Sequence, residues 1–219
     1  MKFFIDTANL DQISEAAAMG ILDGVTTNPS LMARENIIGK EAIKQHYIAI
    51  CEACNGDVSA EVIATSYHEM LIEAEELATL HQQIVVKIPM TVDGIKVISS
   101  LSKRNIRTNC TLVFSAAQAL LAAKAGATYV SPFIGRIDDL SHDGLQLIEQ
   151  IRLIYDNYNF DTEILAASIR HNMHALHCAE IGADVMTAPL SVFLQLFKHP
   201  LTDIGLEKFL ADHAKTQNS

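Results

Sequence analysis

A lysine within a buried-looking strand is the residue of this sequence with the clearest chemical potential. Lys87 lies in the apolar, β-branched run I-V-V-K-I-P-M, which begins at position 84. Lysine is rarely buried without a partner or a purpose. Burial disfavours the ammonium form and lowers the pKa, so the neutral amine can attack a ketone and form a Schiff base. The alternatives to a catalytic role are a lysine at the end of a strand that reaches solvent and a lysine that pairs with Glu61.

Other polar residues stand at the ends of apolar runs along the whole chain. They provide carboxylates, hydroxyls, amides and guanidiniums, at Asp6, Thr26, Asn28, Glu61, Asn109, Thr111, Ser131, Arg136, Ser168 and Arg170. Asp6 and Glu61 are the carboxylates at hand for a base and a proton relay. Guanidinium forks match phosphate oxygens, so the two arginines with Ser168 predict a phosphorylated ketone or aldehyde as substrate. Taken singly, any of these could be a satisfied core polar group or a rim salt bridge.

The spacing of these residues predicts which way they point. Asn109 and Thr111, Ser131 and Phe133, and Ser168 and Arg170 are each two positions apart. In extended chain such pairs face the same side, so we expect both members of each pair at one site.

The elements that must position these residues alternate regularly. Short apolar runs are predicted as strands at Phe3–Ile5, Gly24–Thr27, Val58–Ile63, Ile84–Ile88, Thr108–Val113, Tyr129–Phe133, Ile164–Ser168 and Asp184–Ala188. Helical periodicity between them predicts helices at Leu10–Met19, Lys40–Ala53, Tyr67–Leu80, Gly94–Arg104, Ser115–Ala123, Gly144–Tyr158, Asn172–Ile181 and Ser191–Phe197. Eight such units favour a closed (β/α)8 TIM barrel, an α/β fold whose reactive groups gather at the C-terminal ends of the strands. Asn28-Pro29 is predicted to be a turn.

A further helix is predicted after the barrel is complete. Its stretch, from Thr202 to Lys215, carries Ile204, Leu206, Phe209 and Leu210. We expect one domain over residues 1–219, with residues 202–219 as a C-terminal helical extension that packs on a neighbouring subunit. The protein is therefore predicted to be a homo-oligomer.

Composition excludes several classes of partner. The 219 residues carry a formal charge of −10 and no Lys/Arg-rich block, which argues against nucleic acid. The sequence shows neither a secretory signal pattern nor an apolar run of about 18 residues, so we expect a cytoplasmic protein without a membrane partner. The four scattered cysteines are predicted to be reduced thiols.

His171, His174 and His177 do not have zinc-site spacing, so no metal and no cofactor are expected.

Four separated motifs carry a resemblance to a known family. F-I-D-T-A-N, G-V-T-T-N-P-S, V-V-K-I-P-M-T and S-P-F-I-G-R-I-D resemble those of the transaldolases, and more narrowly of the short-chain subgroup that includes fructose-6-phosphate aldolases. The likeness runs from Phe3 to about Phe209. It implies a (β/α)8 barrel that transfers a dihydroxyacetone unit from sedoheptulose 7-phosphate to glyceraldehyde 3-phosphate. The products would be erythrose 4-phosphate and fructose 6-phosphate, in the pentose phosphate pathway and without a cofactor.

The resemblance also implies a role for each matching residue. Lys87 matches the Schiff-base lysine, Asp6 the acid/base at the C4 hydroxyl, and Glu61 with Thr111 the pair that holds a catalytic water. The other matches are substrate-binding residues, with Thr26, Asn28, Asn109 and Ser131 near the dihydroxyacetone unit and Arg136, Ser168 and Arg170 at the phosphate. Short members of the family are often decamers of two pentamers.

Two positions distinguish transfer from simple cleavage. The aldolases resemble this chain but carry Gln where Glu61 stands and Tyr where Phe133 stands. A tyrosine hydroxyl would help water to protonate the enamine and release free dihydroxyacetone, whereas Phe133 has no such proton. The sequence therefore favours transaldolase over fructose-6-phosphate aldolase. A barrel that binds sugar phosphates without catalysis is the remaining alternative.

Overall fold

A closed ring of parallel strands forms the centre of the molecule. In this computed structural model, which describes residues 1–217, the strands follow one another in chain order around the ring and the last pairs with the first. The fold is a (β/α)8 TIM barrel, as predicted. The strands are β1 (Lys2–Asp6), β2 (Gly24–Thr26), β3 (Asp57–Glu61), β4 (Ile84–Pro89), β5 (Thr108–Val113), β6 (Tyr129–Pro132), β7 (Glu163–Ala166) and β8 (Val185–Ala188).

Helices cover the outside of the ring. They are α1 (Leu10–Ala18), α2 (Pro29–Arg34), α3 (Lys40–Ala53), α4 (Tyr67–Ala78), α5 (Val92–Ser102), α6 (Ala116–Lys124), α7 (Ile134–Asp138), α8 (Leu145–Tyr158), α9 (Asn172–Ile181), α10 (Leu190–Leu196) and α11 (Pro200–Gln217). The long helices lie within a few residues of their predicted positions. Glycines with positive φ end two of these helices: Gly182 caps α9 with φ 96°, and Gly126 follows α6 with φ 86°.

Both faces of the strands are buried, which explains why strands such as β4 and β7 are largely apolar. One face packs against the helices in the main core, and the other fills the lumen of the barrel. The lumen cluster consists of Phe4, Val85, Tyr129, Leu165 and Val185. Burying each such side chain contributes about 1.5–3 kcal/mol. Gly24 makes room for this cluster, because a Cβ there would lie 2.5 Å from the Phe4 ring.

Polar residues follow the apolar lumen residues toward the C-terminal ends of the strands, where the register places them side by side. Glu61 pairs with Lys87, and Lys87 pairs with Asn109, across three adjacent strands. Side chains of paired residues in a parallel sheet point to the same face, and alternation sends every second residue into the lumen. Lys87 therefore stands two residues above Val85, and the strand ends converge on the mouth of the barrel.

Two short helices at this mouth were not predicted. The Asn28-Pro29 prediction was wrong, because this dipeptide begins α2: Asn28 is its N-cap, with Oδ1 accepting from the backbone N–H of Leu31 at 3.0 Å, and Pro29 is its first residue. α7 begins directly after Phe133. Both helices are too short to produce a recognisable apolar period.

The last helix, α11, leaves its apolar side chains in solvent. Leu201, Ile204, Leu206, Phe209 and Leu210 are each more than half exposed. Residues 218–219 of the predicted extension lie outside the described residues. None of the helices in residues 1–217 combines the length and apolar character needed to cross a membrane.

Candidate active site

Two adjoining cavities open at the C-terminal ends of the strands. They share a wall formed by Asp6, Asn28, Lys87, Phe133 and Arg136. The smaller, of about 130 Å³, is here called the Ser168 cavity and is completed by Thr26, Ser131, Ala167, Ser168 and Thr187. The larger, of about 420 Å³, is called the Glu61 cavity and is completed by Pro29, Ser30, Leu31, Arg34, Glu61, Thr111 and Leu112.

Lys87 is the centre of both cavities. The residue is 5% exposed, and its Nζ lies 3.1 Å from Oε2 of Glu61 and donates a hydrogen bond to the carbonyl of Thr27 at 3.3 Å. The Glu61 backbone N–H is in turn bound by the buried Tyr47 hydroxyl at 3.3 Å. The ion pair that the sequence left open is present, and it directs the amine into the site.

Asp6 is held by a line of hydroxyls. Thr26 donates to Oδ1 of Asp6 at 2.7 Å, and its Oγ1 lies 2.6 Å from Oγ1 of Thr187. Because the single Thr26 proton is used on Asp6, the Thr187 hydroxyl donates to Thr26. This arrangement fixes the carboxylate in the wall of both cavities, within the same lumen layer as Lys87.

Sequence reasoning missed Thr187. The signal was available, because Thr187 stands two residues beyond the lumen residue Val185 in a run that was predicted as a strand. Alternation alone places it in the lumen layer with the other polar strand-end residues.

A second line of hydrogen bonds supports the opposite side of the mouth. Ser131 donates to Oδ1 of Asn109 at 2.7 Å, and Nδ2 of Asn109 donates to Oγ of Ser59 at 3.1 Å. Asn109 is fully buried behind Ser131 and borders neither cavity. It positions the Ser131 hydroxyl. Ser59 is a further polar lumen residue that the sequence analysis did not select.

Thr111 borders the Glu61 cavity and carries an unused hydroxyl. Its Oγ1 is buried and, within residues 1–217, has no hydrogen-bond partner. A buried hydroxyl without a partner costs about 1–3 kcal/mol, so it is well suited to receive a bound water or substrate oxygen. The next residue, Leu112, has φ 59° at a register shift of β5, which marks a strained backbone beside the site.

The predicted phosphate residues do not all converge. Arg136 and Ser168 line the Ser168 cavity, but Arg170 borders neither cavity and instead forms a two-pronged salt bridge with Asp139. The expectation that Ser168 and Arg170 face the same way was wrong. β7 ends at Ala166 and Ser168 has φ 60°, so the extended alternation on which that expectation relied does not reach Arg170.

The loop around Ser168 packs closely on α7. A Cβ at Gly135 would lie 2.3 Å from the Ser168 carbonyl oxygen, so only glycine permits this approach. His174 connects this loop to α7. Its Nδ1 accepts from the backbone N–H of Arg170 at 3.4 Å, and its Nε2 lies 2.9 Å from Oδ2 of Asp138. Burial, and then His171, lower the pKa of His174, whereas Asp138 raises it.

Phe133 lies between the two cavities. Its ring centroid is 5.8 Å from that of Phe114 and 4.8 Å from the guanidinium carbon of Arg136. The aromatic face therefore supports the cation by a cation–π contact. The ring offers no proton donor beside Lys87.

A larger groove outside the barrel mouth has different chemistry. It measures about 540 Å³, lies against α3 and α4, and shares Pro29 and Glu61 with the Glu61 cavity. Its two lysines, Lys40 and Lys44, are tied to Glu76. We assign the reactive centre to the cavities around Lys87, because volume alone does not supply a buried amine with a carboxylate partner.

Metal and thiol chemistry have little support in the described chain. Within residues 1–217 no group of three His, Cys, Asp or Glu side chains is arranged to hold a metal ion. Cys51 and Cys54 are free and buried, and burial raises the pKa of Cys51 to about 12, which keeps it a thiol.

Comparison with known proteins identifies close relatives. The family described as Transaldolase/Fructose-6-phosphate aldolase matches residues 3–219. The chain is 66% identical over 215 residues to a probable transaldolase of Cytophaga hutchinsonii and 67% identical to one of Flavobacterium psychrophilum, covering 98% of this chain and 99% of each relative. Among solved structures, dihydrodipicolinate synthase from Rhodopseudomonas palustris matches with a TM-score of 0.60 at 13% identity, over 85% of this chain and 69% of that one. At that identity the likeness concerns the fold alone.

Proposed function

The chain belongs to the transaldolase/fructose-6-phosphate aldolase family and is an enzyme of the transaldolase type, and we propose that it transfers a dihydroxyacetone unit between sugar phosphates through a Schiff base on Lys87. The donor is sedoheptulose 7-phosphate and the acceptor glyceraldehyde 3-phosphate, giving erythrose 4-phosphate and fructose 6-phosphate in the pentose phosphate pathway. The observation that carries the proposal is the buried Lys87 amine, 3.1 Å from the Glu61 carboxylate at the mouth of the barrel.

The covalent step requires a neutral amine. Lys87 gives a proton to Glu61, and its Nζ attacks the C2 carbonyl of the ketose to form a carbinolamine. Loss of the C2 oxygen as water leaves a protonated Schiff base. Glu61, with a water bound to the free Thr111 hydroxyl, carries the protons for these steps.

Asp6 acts on the bond that breaks. It accepts the proton of the C4 hydroxyl, the C3–C4 bond cleaves, and its electrons move to the iminium to give an enamine and an aldehyde. The Thr26 hydroxyl, which donates to Oδ1 at 2.7 Å, orients the carboxylate for this role. The enamine then attacks the acceptor aldehyde, Asp6 returns the proton, and hydrolysis of the new Schiff base frees Lys87.

Binding of the dihydroxyacetone unit falls to the polar groups between these residues. Ser131, positioned by Asn109, and Asn28 line the Ser168 cavity together with Lys87. Arg136 and Ser168 provide a cation and a hydroxyl for the phosphate. Arg170 contributes only if the substrate draws it away from Asp139.

Phe133 favours transfer over release. Since its ring carries no acidic proton and lies in the wall of both cavities, the enamine persists until an aldehyde arrives. Glu61 also favours transfer. This chain has a carboxylate beside Lys87, whereas the aldolases that resemble it have the neutral amide of a glutamine at that position.

The assembly is a further part of the proposal. Five apolar side chains of α11 are exposed in the single chain and occupy more than half of the helix circumference. A second copy of the chain is the occupant we propose for this surface, in a homodecamer of two pentamers. A cytoplasmic location, with sugar phosphates as partners and without a cofactor, belongs to the same proposal.

One set of assays tests the function. Incubation with fructose 6-phosphate and borohydride should leave a reduced three-carbon adduct on Lys87 in mass mapping; absence of the adduct contradicts the proposal. Product analysis should then show sedoheptulose 7-phosphate, and continued release of glyceraldehyde 3-phosphate beyond a single turnover, only when erythrose 4-phosphate is added. Free dihydroxyacetone without an acceptor would indicate the aldolase, and ligand binding without turnover a non-catalytic barrel.

A further inference from the structure

Two arginines of this acidic chain lack a carboxylate partner. In the described residues, Arg34 and Arg136 make no salt bridge, although the chain has a formal charge of −10. Every other arginine is paired, as Arg104–Glu75, Arg107–Asp57, Arg152–Asp156 and Arg170–Asp139. Both unpaired guanidiniums line the Glu61 cavity. Their convergence on one cavity points to an anionic ligand.

The local sequence explains why Arg34 faces the cavity. Asn28 and Pro29 begin α2 immediately after β2, so the helix starts at the rim of the barrel. Ser30 and Arg34 are four residues apart and therefore share a helix face, and both line the cavity. A cation in the last turn of a helix also stabilises the helix through its dipole. The experiment must therefore distinguish this structural role of Arg34 from binding of an anion.

We infer that Arg34 is a substrate-binding residue whose guanidinium, together with that of Arg136, holds the phosphate of the sugar phosphate and sets the preference for phosphorylated substrates. The inference rests on the proposed function and deepens it. A phosphate ester carries close to two negative charges at neutral pH, which two guanidiniums can match with bidentate hydrogen bonds. Arg170 would first have to leave both oxygens of Asp139, whereas Arg34 has no such bond to break.

The place of Arg136 adds a second consequence. It lines both cavities, so a phosphate bound to it has Ser168 on one side and Arg34 on the other. A six-carbon and a seven-carbon ketose anchored at Lys87 carry their phosphates one carbon apart. With the Ser168 hydroxyl on one flank of Arg136 and the Arg34 guanidinium on the other, one site can hold the phosphate at both positions.

The test compares Arg34→Ala and Arg34→Lys with Arg104→Ala. Arg104 follows α5 at the N-terminal ends of the strands, so its loss removes the same charge far from the site. With fructose 6-phosphate as donor, kcat/KM is measured for erythrose 4-phosphate and for erythrose. We expect Arg34→Ala to lower the ratio of the two values about 10- to 100-fold, mainly through KM for the phosphorylated aldehyde. Arg34→Lys should be intermediate, since it keeps the charge but not the fork.

Other outcomes overturn the inference. An equal fall for both aldehydes would show that Arg34 only stabilises α2, and an unchanged ratio would show that it does not reach the phosphate. Inorganic phosphate, titrated by calorimetry, gives a readout independent of turnover: Arg34→Ala should weaken its binding about 10-fold or more and Arg104→Ala should not. If Lys87 forms no adduct while this phosphate effect persists, the proposed function fails and the Arg34 site stands. If the adduct forms and phosphate binding is unchanged, only the Arg34 inference fails.

Discussion

Nζ of Lys87 lies 3.1 Å from Oε2 of Glu61, and the two residues are register partners on adjacent strands. The sheet itself therefore sets the distance between the amine and the carboxylate, with no loop involved. Such a pair allows a proton to pass directly between the two groups, as the proposed Schiff-base step requires.

Lys87→Met should abolish the covalent chemistry. We expect loss of the borohydride adduct and a fall in kcat of about 10³-fold or more. The variant should also be less stable by about 1–3 kcal/mol, because Glu61 loses its partner. Lys44→Met, which removes a lysine paired with Glu76 in the outer groove, serves as the matched control and should keep the adduct. Substantial turnover by Lys87→Met would rule out the Schiff-base mechanism.

Phe133→Tyr should convert transfer into release. A hydroxyl placed at this wall of both cavities supplies a proton donor beside the enamine. The ratio of free dihydroxyacetone to transfer product should rise about 10²-fold, the lower end of what a general acid contributes. Phe114→Tyr adds the same hydroxyl to the neighbouring ring, which borders neither cavity, and should leave the ratio unchanged. The same ratio in both variants would count against the role of Phe133.

Thr187→Val should impair Asp6 through Thr26. Valine has nearly the shape of threonine but no hydroxyl, so the substitution weakens the hydrogen bond that Thr26 donates to Asp6. We therefore expect kcat to fall about 2- to 10-fold with little change in KM. Thr187→Ser keeps the hydroxyl and should restore most of the rate. If serine is as slow as valine, packing and not the hydrogen bond explains the effect.

The strands and the lumen residues were predictable because one physical rule governs both. β4 is buried on two sides and is apolar apart from Lys87, and alternation then assigns Lys87, with its register partner Asn109 on β5, to the lumen. The rule fails where the backbone leaves the extended region. Ser168 has φ 60°, so alternation no longer predicts the direction of Arg170, whose guanidinium pairs with Asp139.

The remaining parts of the mouth depend on contacts between distant segments. α2 and α7, which carry Arg34 and Arg136, have too few residues for a period to be visible, and their helical form depends on docking at the barrel rim. The choice between Asp139 and the cavity as a partner for Arg170 is likewise a tertiary matter that spacing along the chain does not encode.

His174 should make the stability of the fold sensitive to mild acid. Burial first, and then His171, lower its pKa below the ordinary value of 6.5, while Asp138 opposes the shift. The neutral form is thus favoured in the folded state, so this contribution is complete above about pH 6.5 and is lost as the pH falls below it. The loss can reach about 1.4 kcal/mol per pH unit for the single proton.

Denaturant unfolding at several pH values measures this effect. Between pH 7 and pH 5, the free energy of unfolding of His174→Gln should fall less steeply than that of the wild type. His68→Gln, at an exposed position, should follow the wild-type slope. Equal slopes for the wild type and His174→Gln would show that another group is responsible.

Paired substitutions in α11 address the expected association of subunits. Leu206→Lys with Phe209→Lys places two charges among the exposed apolar side chains, and light scattering should report a smaller particle. Asp203→Ser, on the same helix, should leave the mass unchanged. An unaltered mass in the double variant would show that α11 does not mediate assembly; the packing of residues 202–219 on a neighbour stays a prediction until then.

The continuous pairing of β8 with β1 restricts how copies of this molecule can join. Within residues 1–217 the closed ring of strands leaves no unpaired edge in the barrel, so neither strand exchange nor fibril-like growth has a starting point there. Association must instead be encoded in side chains on the helical exterior. Evolution or engineering can therefore alter the number of subunits by surface substitutions without disturbing the interior where bonds are made and broken.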